Sequence, residues 1–159
     1  MGAAVVSDPV AVFAIRPEHG SRLSVQVEVY ETADSMRRVV RAEARRERKP
    51  TRTRGLQGMC LGVTVLRRGR RTPRFAILRI PKAHLTMSTI THEAFHATCR
   101  WAERRGHGAI PVDGSDGPTN MDGRARVIAP LSLEERAATV HDALCRRIVI
   151  ECRRRKLLP

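Results

Sequence analysis

The spacing of hydrophobic positions changes several times along the chain, and each change marks an element. Leu23, Val25, Val27 and Val29 alternate with Ser24, Gln26 and Glu28. A period of two puts one set on each face of a half-buried strand over 22–30. Before it, residues 10–15 (VAVFAI) form a short apolar run that ends at Arg16-Pro17. After it, from Thr32 or Asp34, the period lengthens. Met36, Val39, Val40 and Ala44 become the apolar stripe of a helix, with arginines opposite and a stop before Pro50. GMCLGVTVL (58–66) and RFAILRI (74–80) read as strands. The basic turn RRGRRTP (67–73) between them suits a hairpin. Met87, Ile90, Ala94, Ala97 and Trp101 then predict a helix over about 87–105, capped by Thr86 or Ser88 and ended by Gly106. Residues 106–130 carry five glycines and three prolines and predict a long flexible loop. Ser132 opens a last helix to about Lys156, with Ala137, Val140, Leu144 and Ile148 facing inward.

This order predicts one α+β domain over 1–159: a small, mostly antiparallel sheet with helices to one side. The length, 159 residues, and the 42% hydrophobic content suffice for a single core. Aromatics are only 3%, which excludes nucleic-acid modules that stack bases on aromatic platforms. No run approaches the roughly 18 apolar residues of a membrane span, and the first residues lack a secretory pattern. A cytoplasmic setting is the expectation. Cys60, Cys99, Cys145 and Cys152 are scattered, with no CxxC pair, and read as reduced thiols.

Charge changes the picture more than composition does. The net charge is +14. Residues 37–79 hold fifteen Lys/Arg against Glu43 and Glu47, so nearly all of the excess is regional. A field of that sign attracts nucleic acid or an acidic protein partner.

The candidate chemistry lies in the helix over 87–105. Residues 92–96 read His92-Glu93-Ala94-Phe95-His96, an HExxH pattern. Histidines four apart share one helical face, one turn apart, and can direct neutral imidazole nitrogens at one zinc ion. Phe95 and Cys99 beside them suggest a second buried face. Glu93 sits about 100° round the helix, placed to take a proton from a metal-activated water that attacks a peptide carbonyl. A catalytic zinc needs a third protein ligand. Cys99 and Ala102 occupy the positions where an extended form of the motif has Gly and His, so that form is absent. The last helix offers Glu134 and Glu135. Ser132 and Glu135 have capping-box spacing, whereas Glu134 lies at the inward edge, where an unpaired acid is costly. Glu134 is therefore expected as the ligand and Glu135 as the cap. A shift by one residue would exchange them. His141 is seven residues after Glu134 and shares its face. Cys99, His84 and His107 have weaker claims, as a buried thiol, a neighbour of the preceding strand and a loop residue.

The stretch from RFAILRIPKAHLTMSTITHEAFHA to LSLEERAATVHDAL, about residues 74–144, resembles the small zincin-type metallopeptidase-like proteins of bacteriophage and bacterial genomes. The resemblance implies His92, His96 and Glu134 as Zn2+ ligands and Glu93 as general base. It implies strand 74–80 as the edge that binds a peptide substrate, and a Tyr or His to stabilise the oxyanion, for which His141 is the candidate. The other expectation, of a different class, is a basic nucleic-acid-binding protein with a structural or vestigial zinc site, acting through 37–79.

Overall fold

The computed structural model describes residues 8–48, 50–51, 53–62, 66–67, 70–106 and 125–159, without the side chains of 66–67, 70–71 and 125–134. The elements are β1 (Ala11–Ile15), β2 (Ser24–Tyr30), α1 (Ala33–Arg46), β3 (Met59–Gly62), β4 (Leu66–Arg67), β5 (Arg70–Arg71), β6 (Arg74–Pro81), a 3-10 turn (Lys82–His84), α2 (Met87–Arg104) and α3 (Ala125–Arg154). The class is α+β, as the patterning predicts.

Four strands form one sheet in the order β1-β2-β6-β3, and β4 pairs with β5 in a separate short ladder. The apolar run 10–15 supplies β1, a strand beyond those the alternation predicts. β1 runs antiparallel to β2, and β3 runs antiparallel to β6, with Cys60 opposite Leu78. Between them β2 and β6 are parallel, with Val27 opposite Leu78. The sheet is therefore mixed: two of its three pairings are antiparallel and the central one is parallel. The long connection through α1 and β3 carries the chain back to enter β6 in the same direction as β2. This also overturns strand 74–80 as a substrate-binding edge. β6 has a neighbour on each side, and its nearly continuous apolar run suits a strand buried on both faces. The edges of this sheet are β1 and β3.

Alternation along β2 and β6 sorts the two faces. Val25, Val27, Val29, Ala76, Leu78 and Ile80 join one core with Ile90, Ala94, Ala97 and Trp101 of α2 and with Ala137, Val140, Leu144 and Ile148 of α3. Met87, expected on the α2 stripe, is exposed beside the N-cap. Thr86 accepts a hydrogen bond from the Thr89 amide at that cap. The opposite face carries Glu28, Tyr30 and Arg79 and is covered by α1. Helices therefore lie on both sides of the sheet, not one.

Arg79 is only 2% exposed. Its Nε donates to Glu28 Oε2 at 2.8 Å, and its two Nη atoms donate to Glu43 of α1 at 2.6 and 2.7 Å. Tyr30 Oη also donates to Glu28 Oε2, at 2.8 Å. A buried cation is tolerable only with pairing of this kind, and here the pairing ties α1 to the sheet.

α3 begins seven residues before Ser132. Residues 125–130 are helical rather than loop, and the rest of the expected loop, 107–124, lies outside the described residues. Pro130 forfeits one i→i−4 bond, and the helix continues through it. Ser132 and Glu135 are thus interior, and the capping-box role of Glu135 is overturned. α3 runs antiparallel to α2: the Arg136 guanidinium lies 5.7 Å from the Trp101 ring, and His141 meets Thr91.

Removing Arg79 leaves two carboxylates facing a covered sheet. Arg79→Met is expected to cost about 3–5 kcal/mol in urea unfolding. Lys82→Ala, which breaks the exposed pair with Glu31, is expected to cost about 1 kcal/mol or less. Equal losses in the two variants would contradict the assignment of Arg79 as a buried anchor.

Candidate metal centre

α2 is amphipathic in an unusual sense. Its inner stripe packs on the sheet, and its second and third turns carry three polar side chains beside that stripe. His92 and His96 are exposed, so the second buried face expected around them is absent there. Phe95 and Cys99 are half-buried. Glu93 is the buried member of the triple, 5% exposed.

The two histidines meet. Nε2 of His92 and Nε2 of His96 are 3.1 Å apart, with the rings edge to face at 84°. Two ligands about 2.0–2.1 Å from a tetrahedral zinc lie roughly 3.3 Å apart, so this nitrogen pair fits such an ion with little movement. Desolvation, then the neighbouring His92 and Arg100, lowers the His96 pKa. That favours the neutral ring a metal requires.

Glu93 points to the other side, against the chain entering β3. A Cβ built on Gly58 would stand 2.6 Å from Glu93 Oε1. Glycine is what allows the strand to approach this closely. Two turns along α2 the contact repeats, where a Cβ on Gly62 would stand 2.9 Å from Cδ of Arg100. β3 therefore lies along α2, held close at both of its ends. Burial raises the Glu93 pKa, and the charge of His92 opposes it. Its Oε2 is buried with no hydrogen-bond partner. Such an atom is rare in a folded protein and favours a site whose partner arrives with a ligand.

The remaining candidates divide. His141 comes across from α3, and its Nε2 donates to the carbonyl of Thr91 at 3.1 Å, one residue before His92. Cys145 Sγ lies 3.5 Å from the same nitrogen. His141 is thus tied to the α2 backbone rather than to the histidine pair. Glu134 lies in α3, but its side chain is outside the described residues. Its neighbour Arg136 reaches Trp101, toward the end of α2 beyond His96. Glu135 is exposed. Cys99 is half-buried against the core, and His84 sits in the 3-10 turn. His107 lies outside the described residues. Among the described residues no group of three His, Cys, Asp or Glu side chains is gathered for a metal.

The pattern of HExxH was legible in sequence; the contribution of Gly58 was not. Its only trace is the glycine at each end of GMCLG, which flanks β3 at the spacing where strand and helix touch.

No protein-family model matches the chain, and no curated protein or solved structure shows significant similarity to it.

All four cysteines are free. Burial, the largest effect, pushes the Cys60 thiol up to about 12 and the Cys152 thiol up to about 11. Because the neutral thiol is unreactive, iodoacetamide at pH 8 should alkylate both at least ~100-fold more slowly in the native protein than in urea, the native rate rising with pH. Native labelling as fast as in urea would contradict this burial.

Proposed function

We propose that this chain is a zincin-like, zinc-dependent metallopeptidase-like protein that hydrolyses peptide bonds. One observation carries the reading: an exposed pair of imidazole nitrogens 3.1 Å apart on a helix whose intervening Glu93 is buried with a carboxylate oxygen that lacks a partner. His92 and His96 would hold the ion, with Glu134 as the third ligand from α3. Bound zinc supplies a Lewis acid that polarises a carbonyl and makes water more acidic.

The chain's own residues account for the rest. Glu93 takes the proton of the attacking water and returns it to the leaving amine nitrogen. Its raised pKa suits it to both steps. The wall formed by Gly58 fixes the carboxylate, so little rotamer freedom remains to be lost. β3, an edge of the sheet lying along α2, takes the peptide-binding role first assigned to strand 74–80. An extended substrate can add to it through main-chain hydrogen bonds. His141 steadies the second turn of α2 through Thr91. The oxyanion role that the resemblance implies for it requires that bond to open.

Elemental analysis of the purified protein should find one zinc per chain, largely lost in His92→Ala and His96→Ala. Glu93→Gln should keep the zinc and lose hydrolysis of unfolded casein by about 10²–10⁴-fold. Gly58→Ala should do likewise more mildly, because the added methyl displaces the carboxylate. Zinc content in His96→Ala equal to that of the wild type would refute the reading.

The two glutamates separate in the same assay. Glu134→Ala is expected to empty or weaken the site, whereas Glu135→Ala, at an exposed interior position of α3, should keep the metal and its melting temperature. The reverse result would move the ligand by one residue.

A further inference from the structure

From the outer face of α1 we infer a second binding surface, one that takes the phosphodiester backbone of duplex nucleic acid and is independent of the metal centre. Arg38, Arg41, Arg45 and Arg48 follow one another at three- and four-residue steps. At 100° per residue the first three fall within one sector of the helix, opposite buried Met36 and Val40, and Arg48 follows just past the C-cap. Arg38 to Arg45 covers about 10 Å of axis, and one strand of a duplex presents a phosphate about every 3.4 Å. The row thus spans about three phosphates.

Three features distinguish this row from an ordinary solvated helix face. First, the acid in the middle of α1 is turned away from Arg41, Arg45 and Arg48. Glu43, the acid in the middle of α1, is turned to the sheet and bound by both Nη atoms of Arg79. Arg41 donates to the Thr53 hydroxyl instead, at 2.8 Å, and Arg45 and Arg48 meet no carboxylate among the described residues. Second, the row lines a shallow hollow of about 400 Å³ formed by Arg41, Ala44, Arg45, Arg48, Pro50 and Thr51. Arg48 bends the chain around it with φ +54°, in the left-handed region where glycine is the unstrained choice. Third, complementing the helix dipole accounts for Arg45 and Arg46 in the last turn, but not for Arg38 and Arg41.

The chemistry favours phosphate. Arginine forks bind phosphate oxygens bidentately. A protein partner would be expected to find apolar anchors, but among the described residues the exposed large hydrophobics are Val10, Val12, Met87 and Ile150, none of them on α1. The surface also lacks aromatic rings for stacking bases, which favours a duplex over a single strand. Since α1 and α2 cover opposite faces of the sheet, a bound duplex leaves the histidine pair open.

The test is fluorescence anisotropy with a labelled 20-base-pair duplex of arbitrary sequence. Wild-type affinity should fall at least ~100-fold between 50 and 200 mM NaCl. The triple variant Arg41→Gln, Arg45→Gln, Arg48→Gln should bind at least tenfold more weakly at 100 mM, with the log–log salt slope shallower by about 3. Lysine at the same three positions should restore most of the affinity. A charge-matched control on α3, Arg146→Gln, Arg153→Gln, Arg154→Gln, should stay within about threefold of wild type. All six substituted positions, Arg41, Arg45, Arg48, Arg146, Arg153 and Arg154, are exposed, so far-ultraviolet circular dichroism should match the wild type. Arg45→Glu alone provides a second variant if the triple folds poorly. Absence of binding at 50 mM, equal weakening by the α3 control, or binding of poly-glutamate in place of the duplex would each overturn the proposal.

Discussion

The close approach of β3 to α2 at Gly58 is the constraint from which the candidate site follows. A helix whose inner stripe is buried on the sheet has little freedom to rotate. With Ile90, Ala94, Ala97 and Trp101 fixed inward, His92 and His96 must face outward and Glu93 must face the chain entering β3. The absence of a side chain at Gly58 leaves room for the carboxylate. Burial then raises the Glu93 pKa while the imidazoles keep their access to solvent. The carboxyl and the imidazoles differ in environment although they are adjacent in sequence, as the proposed division between proton transfer and metal binding requires.

The rest of the fold serves that geometry from a distance. The parallel pairing of β2 with β6 puts the most apolar strand at the centre, and both helical layers are organised around it. On one side α2 and α3 pack together, with His141 gripping the α2 backbone just before the histidine pair. On the other, the Arg79 cluster fixes α1 and draws Glu43 inward. One buried ion cluster thus has two consequences: it anchors the helix, and it turns Glu43 away from the arginines of the outer face.

Much of this was legible in the sequence, and the omissions have physical reasons. Alternation of Leu23, Val25, Val27 and Val29 fixed β2 because one face is apolar and the other polar. The 3.6-residue stripes of α1, α2 and α3 were equally plain, since each helix buries one side. The fate of β6 was not, because a strand covered on both faces has no alternation to show which neighbours flank it. FAILRI reads the same at an edge as at the centre. The start of α3 was misplaced because Pro130 and Ser132 are local signals of a helix beginning, and local signals do not register that a helix has already begun. HExxH announced the three polar residues of α2, but which of them is buried depends on a long-range contact with a glycine thirty-five residues earlier. The spacing of six scattered histidines carries no such information.

The central claim, that the histidine pair is a metal centre completed by oxygen rather than sulfur, is open to direct measurement. The protein loaded with one equivalent of zinc can be studied by X-ray absorption at the zinc edge. The account predicts a shell of nitrogen and oxygen scatterers at about 2.0–2.2 Å with two imidazoles and no sulfur. A sulfur scatterer at about 2.3 Å would bring one of the four free cysteines into the site and contradict it.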